Sequence, residues 1–262
     1  MRLSLIIFLL ILLVFSAASA RIVEEPLQYD HNGAQLEGIA VYDEATENKR
    51  PALILFHDWR GPGEIEIALA REYVGLGYIV FVADMYGKDV RPTTAAEAAD
   101  ATRELYADRD FFRKRAYRAY DAFTKEYWIA DVKRVACMGT AFGGTSALEL
   151  ARTGARLAGT IAVNASIRPA SEDDGRKIQG RVLVLHADSD PYIASDELHE
   201  FIDEMRAGDV DYELIIYGRA QRGFTNPDAP VTVHGSSYDP ELAEQARETI
   251  DRFLEQVFAS EQ

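Results

Sequence analysis

Short, continuous apolar runs alternate along the chain with longer amphipathic stretches. Such runs, bounded by glycine, proline and polar residues, are typical of strands buried on both faces of a sheet. They occur at 51–56, 78–82, 133–138, 157–163, 181–185 and 211–217. The stretches between them predict helices over about 64–76, 94–126 and 194–206, and a terminal helix that opens at Asp239-Pro240.

One further strand is predicted near the start of the chain. Residues 35–42 alternate loosely between apolar and polar side chains, as an antiparallel strand at a sheet edge does. Because strands and helices otherwise alternate, we predict an α/β fold, with a mainly parallel central sheet and helices on both faces. No internal repeat or linker divides the sequence, and its 262 residues suffice for one sizeable core.

The most informative stretch follows the run at 133–138. Gly139-Thr140-Ala141-Phe142-Gly143-Gly144 is a glycine-rich turn, and a helical pattern begins directly behind it. Strand, tight turn and helix in this order make a nucleophile elbow, in which the central side chain stands alone above the sheet. That central residue is Ala141, and a methyl group cannot attack a carbonyl carbon.

The first twenty residues differ in character from the rest. Arg2 precedes an apolar core from Leu5 to Phe15, and the small residues Ala18-Ser19-Ala20 come before Arg21. This order is typical of a secretory signal peptide, and the segment is too short and wrongly flanked for a spanning helix. We therefore expect a mature domain over 21–262 in a periplasmic or secreted location. A signal segment retained as a membrane anchor is the alternative.

The net charge of the chain excludes some classes of binding partner. The chain has 43 acidic and 28 basic side chains, a formal net charge of −15, so its surface should repel nucleic acid and anionic membranes. The basic aromatic run 111–115 falls within a helical pattern and is interpreted as a core face beside a solvated face. The apolar positions of that face are Leu105, Phe112, Ala116, Tyr120 and Phe123. The single cysteine, Cys137, excludes an internal disulfide and is expected to be buried in the central strand.

Five segments together carry a resemblance to a known family. They are His57-Asp58-Trp59-Arg60-Gly61, Ala83-Asp84-Met85-Tyr86-Gly87, the glycine turn with Ala141, Leu185-His186-Ala187-Asp188-Ser189-Asp190-Pro191, and Arg222-Gly223-Phe224-Thr225-Asn226-Pro227. In their order and spacing the chain resembles the dienelactone hydrolase family of α/β-hydrolases, from about residue 23 to residue 258. The resemblance implies an α/β-hydrolase fold and an enzyme that hydrolyses carboxylic esters or lactones without a cofactor.

The resemblance also implies a nucleophile in the glycine turn, an acid after the penultimate strand and a histidine base after the last strand. These positions fall on Ala141, Asp190 and Arg222. Neither a methyl group nor a guanidinium can fill its role, because an arginine does not deprotonate in proteins. We therefore expect an inactive or very weak member, a pseudoenzyme, in which Arg222 pairs with Asp190 through a charge-assisted hydrogen bond, either single or bidentate.

The rest of the implied site suits an anion. The resemblance places oxyanion donors at the backbone N–H groups of Trp59 and Phe142, the latter at a helix N-terminus. It also places Asp58 and Lys88 around the ligand, with an ordinary surface lysine as the alternative for Lys88. Asn164 is a further ligand-binding candidate, at a position where the family usually carries a histidine. From this set we expect a small anionic ligand, such as a carboxylate, and a protein partner is the alternative.

A working ester or lactone hydrolase with displaced catalytic residues is the second class of function. Thr140, Ser146 and Ser166 are the alternative nucleophiles, and His234 is the alternative base. The glycine turn lacks the Gly-Lys-[Ser/Thr] ending of a P-loop, and no paired spacing of cysteine or histidine indicates a metal site. Neither a nucleotide nor a metal is therefore expected, and the sequence indicates no particular oligomeric state.

Overall fold

The computed structural model describes residues 21–229 and 235–259. Its strands form one eight-stranded sheet. Their bounds are Ile22–His31 (β1), Ala34–Asp43 (β2), Arg50–Phe56 (β3), Ile79–Ala83 (β4), Ala130–Thr140 (β5), Gly159–Val163 (β6), Arg181–Ala187 (β7) and Tyr212–Tyr217 (β8). Every strand that the hydrophobic pattern predicted is present.

The strand order is β1-β2-β4-β3-β5-β6-β7-β8. Strands β3 to β8 run parallel, whereas β2 is antiparallel to both β4 and β1. The mainly parallel sheet is thereby confirmed. The prediction that 35–42 lies at the sheet edge is wrong, because β1 pairs with all of β2 and forms the edge itself. The hydrophobic pattern did not predict β1, because this strand is largely polar, contains Pro26 and buries only Tyr29.

The helices cover both faces of the sheet. Those among the described residues are Glu64–Gly75 (α1), Ala95–Ala107 (α2), Arg109–Glu126 (α3), Phe142–Ala151 (α4), Ser195–Ala207 (α5) and Pro240–Ala259 (α6), with a short 3-10 helix at Glu172–Lys177. The single helical region predicted over 94–126 is two helices. Asp108 ends α2 in an extended conformation, and its side chain accepts the N–H of Phe111 at 3.0 Å, so it caps α3.

Helices α1 and α6 pack on one face of the sheet, and α3, α4 and α5 pack on the other. The terminal helix buries the stripe that its sequence period indicates: Leu242, Ala246, Ile250, Phe253 and Val257. Cys137 is fully buried in β5, as predicted, and this burial raises the pKa of its thiol to about 12. The thiol is therefore a core group and no nucleophile.

Two of the three basic residues of the run 111–115 lie away from the solvated face that the sequence indicated, whereas Lys114 is exposed. Arg113 donates to Glu149 at 2.8 Å and to the two carboxylate oxygens of Asp174 at 3.0 and 2.6 Å. Arg115 is 6% exposed and donates to backbone carbonyl groups between β4 and α2. These arginines tie α3 to its neighbours, because a buried guanidinium needs a partner for its charge.

None of the helices in the described ranges is long and apolar enough to cross a membrane. The predicted signal peptide, residues 1–20, lies outside those ranges.

Candidate active site

The turn between β5 and α4 brings three backbone segments into close contact. A Cβ atom on Gly139 would lie 2.3 Å from the carbonyl carbon of Gly143, and one on Gly143 would lie 2.2 Å from the carbonyl oxygen of Phe56. Ala141, at the tip, has φ 54° and ψ −114°, a conformation that costs a residue with a Cβ about 1–3 kcal/mol. Its N–H donates to the carbonyl of Val163 at 2.8 Å. The strained backbone of a nucleophile elbow is present, with alanine at its tip.

The loop after β3 is held by the buried side chain of His57. The N–H of Met85 donates to its Nε2 at 3.1 Å, and its Nδ1 lies 2.6 Å from the carbonyl oxygen of Asp58. A ring nitrogen that accepts carries no proton, so the proton sits on Nδ1 and is donated to Asp58. Burial lowers the pKa of His57, which keeps the ring neutral. His57 therefore ties the loops after β3 and β4 together and has no free nitrogen for proton transfer.

The residues that follow His57 fix the shape of the same loop. The carboxylate of Asp58 lies 3.0 Å from Nη2 of Arg60 and accepts the N–H of Arg60 at 2.8 Å. The carbonyl of Trp59 accepts the hydroxyl of Tyr86 at 3.0 Å, while the indole is 38% exposed. The backbone at Trp59 is thus positioned by the loop after β4, and the charge of Asp58 is already compensated within its own loop.

Asp190 and Arg222 meet in the loops after β7 and β8. Nη1 of Arg222 lies 3.2 Å from Oδ2 and 3.4 Å from Oδ1 of Asp190, which confirms the predicted ion pair. The carboxylate is fully buried, and the arginine side chain is 31% exposed. Oδ1 of Asp190 also accepts the N–H of Tyr192 at 2.9 Å, and Cζ of Arg222 lies 4.6 Å from the centroid of the Tyr192 ring. One nitrogen makes both contacts to the carboxylate, so the pair lacks the two-nitrogen bidentate form.

Asn164 follows β6, directly beside the elbow. Its φ is 49°, and its N–H donates to the carbonyl of Leu185 at 2.9 Å. Its Oδ1 accepts the N–H of Ala187 at 3.1 Å. The buried Nδ2 has no hydrogen-bond partner among the described residues. A buried donor left unpaired costs about 1–3 kcal/mol, so this amide is suited to a ligand atom or a water.

Phe142 anchors a cluster of rings over the start of α4. The ring centroids of His57, Tyr86, Tyr106 and Phe112 lie 5.2–6.0 Å from that of Phe142. The hydroxyl of Tyr106 is a hydrogen-bond partner of Thr145, and its pKa is raised, mainly by burial, so it remains a protonated donor. Tyr106 was not predicted from the sequence, because this residue of α2 belongs to no motif and only the fold brings it to the elbow.

Lys88 does not join this group. Its Nζ lies 2.9 Å from a carboxylate oxygen of Glu37 on β2, and its side chain is 43% exposed. Its N–H donates to the carbonyl of Gln35 at 2.8 Å. The structure thus places Lys88 beside the antiparallel strands, in a surface ion pair.

The two serines among the alternative nucleophiles are bonded elsewhere. Ser146 is fully buried and donates to the carbonyl of Phe142 at 2.9 Å, within α4. Ser166 donates to Glu197 at 3.0 Å. His234, the alternative base, lies outside the described residues. In the contacts that the structure shows, neither serine hydroxyl is paired with a histidine.

A cavity of about 560 Å³ lies behind the elbow, between α1 and α6. Its wall includes Asp58 and Thr140 at the loops, and Leu69 and Ile250 from the two helices. The elbow tip and the ion pair after β7 and β8 are absent from its described lining. Thr140 therefore borders this cavity, while the positions implied for catalysis lie beside it.

Comparisons with known proteins place this geometry in context. A model of the dienelactone hydrolase family matches residues 37–258. A protein of Saccharolobus solfataricus, provisionally named a carboxymethylenebutenolidase, is 25% identical over 273 residues, covering 90% of this chain and 99% of that protein. The solved structure named m3DLH is 29% identical with a TM-score of 0.85, covering 90% of this chain and 99% of that one. A dienelactone hydrolase-like promiscuous phosphotriesterase from metagenomic libraries is also 29% identical, with a TM-score of 0.84 and coverages of 91% and 99%.

Proposed function

Because the chain belongs to the dienelactone hydrolase family, we propose that it keeps the hydrolase scaffold, has lost most or all hydrolysis, and binds a small anionic ligand at the former active site. We also propose that residues 1–20 are removed and that the mature protein is periplasmic or secreted. The observation that carries the first proposal is the strained elbow with alanine at its tip.

The nucleophile and base positions of the family's catalytic set are both occupied by residues that cannot fill these roles. Ala141 has no atom that could attack a carbonyl, and Arg222 is permanently charged and bonded to Asp190. Such groups act as a unit, and what remains without them is the contribution of oxyanion donors and binding. Any turnover should therefore be very slow compared with that of a complete triad.

The proposed anion site draws on hydrogen-bond donors of four kinds. They are the amide at the N-terminus of α4, the guanidinium of Arg222, the unpartnered Nδ2 of Asn164 and the hydroxyl of Tyr106. The carboxylate of Asp190 is compensated by Arg222, whose remaining N–H groups can donate to a ligand. A helix N-terminus and a guanidinium both favour negative charge, so an anion is the class of ligand that this site suits.

The relatives narrow the class of anion. One is named a carboxymethylenebutenolidase and another a phosphotriesterase. Lactone hydrolysis gives a carboxylate, and phosphotriester hydrolysis gives a phosphodiester, so both reactions leave an anion; the first of these names favours a carboxylate. We propose a carboxylate, held with its oxygen atoms between the α4 amides and Arg222.

Turnover of 4-nitrophenyl acetate by the purified protein tests the loss of catalysis. The natural chain and the Asp190→Ala variant should both match the rate of a heat-inactivated sample. Turnover in the natural chain that Asp190→Ala abolishes would overturn the proposal. Ser146→Ala and Ser166→Ala would then show which hydroxyl acts as the nucleophile.

Calorimetric titration tests the ligand class. Benzoate should bind, benzamide should not, and Arg222→Gln should remove benzoate binding. Arg219→Gln is the matched control, since this exposed arginine lies three residues away in the same loop. Equal binding of benzamide and benzoate would contradict an anion site. Mass spectrometry of the exported protein tests the localisation proposal, which requires Arg21 as the first residue.

A further inference from the structure

A second cavity, of about 350 Å³, lies near the amino-terminal end of β5, whereas the elbow lies at its carboxyl-terminal end. It forms where β1 begins, where β2 ends and where α3 leads into β5. The elbow follows one end of β5 and residues 126–129 precede the other, so about 30 Å of strand separates the two sites. We call this cavity the aromatic pocket, after the residues in its lining that matter here: Tyr42, Tyr127, Trp128, Glu25, Asp43, Glu44 and Glu126.

Three aromatic side chains line the aromatic pocket. The rings of Tyr42 and Tyr127 lie 5.8 Å apart at an angle of 57°, so their faces are not stacked on one another. Trp128 is 67% exposed, although it sits in a short connection between a helix and a strand. The faces of such rings carry negative potential and attract cations, tryptophan most strongly.

One carboxylate orients two of these rings. The hydroxyls of Tyr42 and Tyr127 both donate to Oε2 of Glu25, at 3.1 and 3.4 Å. Burial raises the pKa of both phenols, and the charge of Glu25 raises it further, so both stay protonated. The ring positions are thus fixed before any ligand arrives, which lowers the entropy cost of binding.

The charged side chains in the described lining of the aromatic pocket are all negative. Its described lining contains four carboxylates and no lysine or arginine. Arg21, just outside, lies 2.9 Å from Glu44, and its backbone nitrogen, the terminal ammonium of the proposed mature chain, lies 3.2 Å from Asp43, so these two carboxylates already have partners. The carboxylate of Glu126 has no ion pair within the described ranges, and Glu25 is bonded only to neutral hydroxyls there. A cation in this pocket would therefore meet negative charge that is not yet compensated.

The carboxylates do not form a metal site. Within the described ranges no group of three or more acidic, histidine or cysteine side chains could hold a metal ion. Hard divalent cations need several oxygen ligands converging on one point. Ring faces with dispersed carboxylates instead suit a larger, weakly hydrated cation.

We propose that the aromatic pocket binds a small organic cation that carries a methylated ammonium group, such as the trimethylammonium of choline. The methyl groups lie against the faces of Trp128 and Tyr127, and Glu25 and Glu126 supply the opposite charge. A cavity of this volume lies within the usual range of small-ligand sites. A ligand that carries its own phosphate next to the cation should bind more weakly, because the same carboxylates repel it.

Calorimetric titration with choline tests the proposal on the purified protein. Its neutral isostere, 3,3-dimethyl-1-butanol, has the same shape without the charge and should not bind. Trp128→Ala should weaken choline binding about tenfold, and Trp128→Phe should restore part of it. Glu25→Gln should weaken it as well. Val132→Ala, an exposed apolar position on β5 outside the aromatic pocket, is the matched control and should leave the affinity unchanged.

Fluorescence supplies a second readout that locates the ligand. In a Trp59→Phe variant the only remaining tryptophan is Trp128, and choline should change its emission in a saturable way. The absence of saturable choline binding, equal binding of the neutral isostere, or unchanged affinity in folded Trp128→Ala would each overturn the proposal. Binding of phosphatidylcholine vesicles in preference to free choline would overturn the assignment to a small soluble ligand. The aromatic pocket shares no residue with the elbow, so these outcomes do not depend on the proposed function.

Discussion

Ala141 occupies a backbone conformation that glycine would adopt without strain. Its φ of 54° places the Cβ against the backbone, at a cost of about 1–3 kcal/mol. Ala141→Gly should therefore stabilise the protein by about 1 kcal/mol, after allowance for the greater freedom of glycine in the unfolded chain. Urea unfolding measures the difference. Ala68→Gly, at an exposed position inside α1, should have the opposite sign and destabilise by about 1 kcal/mol. Destabilisation by both variants would contradict the strain at the elbow.

At the same scale, Arg222 compensates a carboxylate that is fully buried. Arg222→Gln should destabilise the fold by about 1–2 kcal/mol, less than for a fully buried pair because the arginine side chain is 31% exposed. Adding Asp190→Asn should recover part of this loss, since the asparagine oxygen can still accept the N–H of Tyr192. A double-mutant cycle gives the coupling, with Arg219→Gln expected to stay within about 0.5 kcal/mol of the natural chain. Additive effects of the two substitutions would show that the contact contributes nothing.

At the scale of elements, the first turn of α1 contains a carboxylate whose charged form is disfavoured by burial. Glu66 accepts the N–H of Gly63 at 3.1 Å, and burial, with a smaller contribution from Asp58, raises its pKa above 4.5. The folded state therefore binds this proton more tightly than the unfolded state, and stability falls as the pH rises from 4.5 through the folded pKa. Glu66→Gln should stabilise the protein at pH 7 and lose that advantage below pH 4.5. Thermal unfolding across this range is the measurement, and a pH-independent difference would refute it.

The elements also show which features a sequence can reveal. Strands β3 to β7 are buried on both faces and appear as apolar runs, whereas β1 is polar on its exposed sides and went unnoticed. The elbow was predictable from its glycine-rich turn between a strand and a helix, and Asp190 and Arg222 were predictable because the family resemblance assigns them positions after the last two strands. Tyr106 was not, since α2 carries it to the elbow from a distant part of the chain. The buried ion pairs of Arg113 could not be predicted for a related reason. The helical period predicts which face of α3 is polar, but the packing of the helices determines whether that face meets water or a carboxylate.

At the scale of the whole molecule, the loops after β3, β5, β6, β7 and β8 all lie at the carboxyl ends of the parallel strands. The elbow keeps its strained turn, and the backbone of Trp59 remains fixed by Tyr86. Under the proposed function, the chain keeps the parts of a hydrolase that depend on the fold and lacks two side chains of the catalytic set. The scaffold can therefore be tested separately, by restoring the two catalytic side chains.

Restoring both side chains should return measurable ester hydrolysis. In the double variant Ala141→Cys with Arg222→His, Asp190 is already placed to orient the new imidazole, which can then activate the thiol. We expect turnover of 4-nitrophenyl acetate about tenfold or more above the natural chain, and little from either single change, because a thiol without its base and a base without its thiol are each incomplete. Adding Asp190→Ala should return the rate to background. A folded double variant no faster than the natural chain would mean that the site has diverged beyond these two positions. Asn164, whose Oδ1 holds the amide of Ala187 next to the elbow, would then be the first position to exchange.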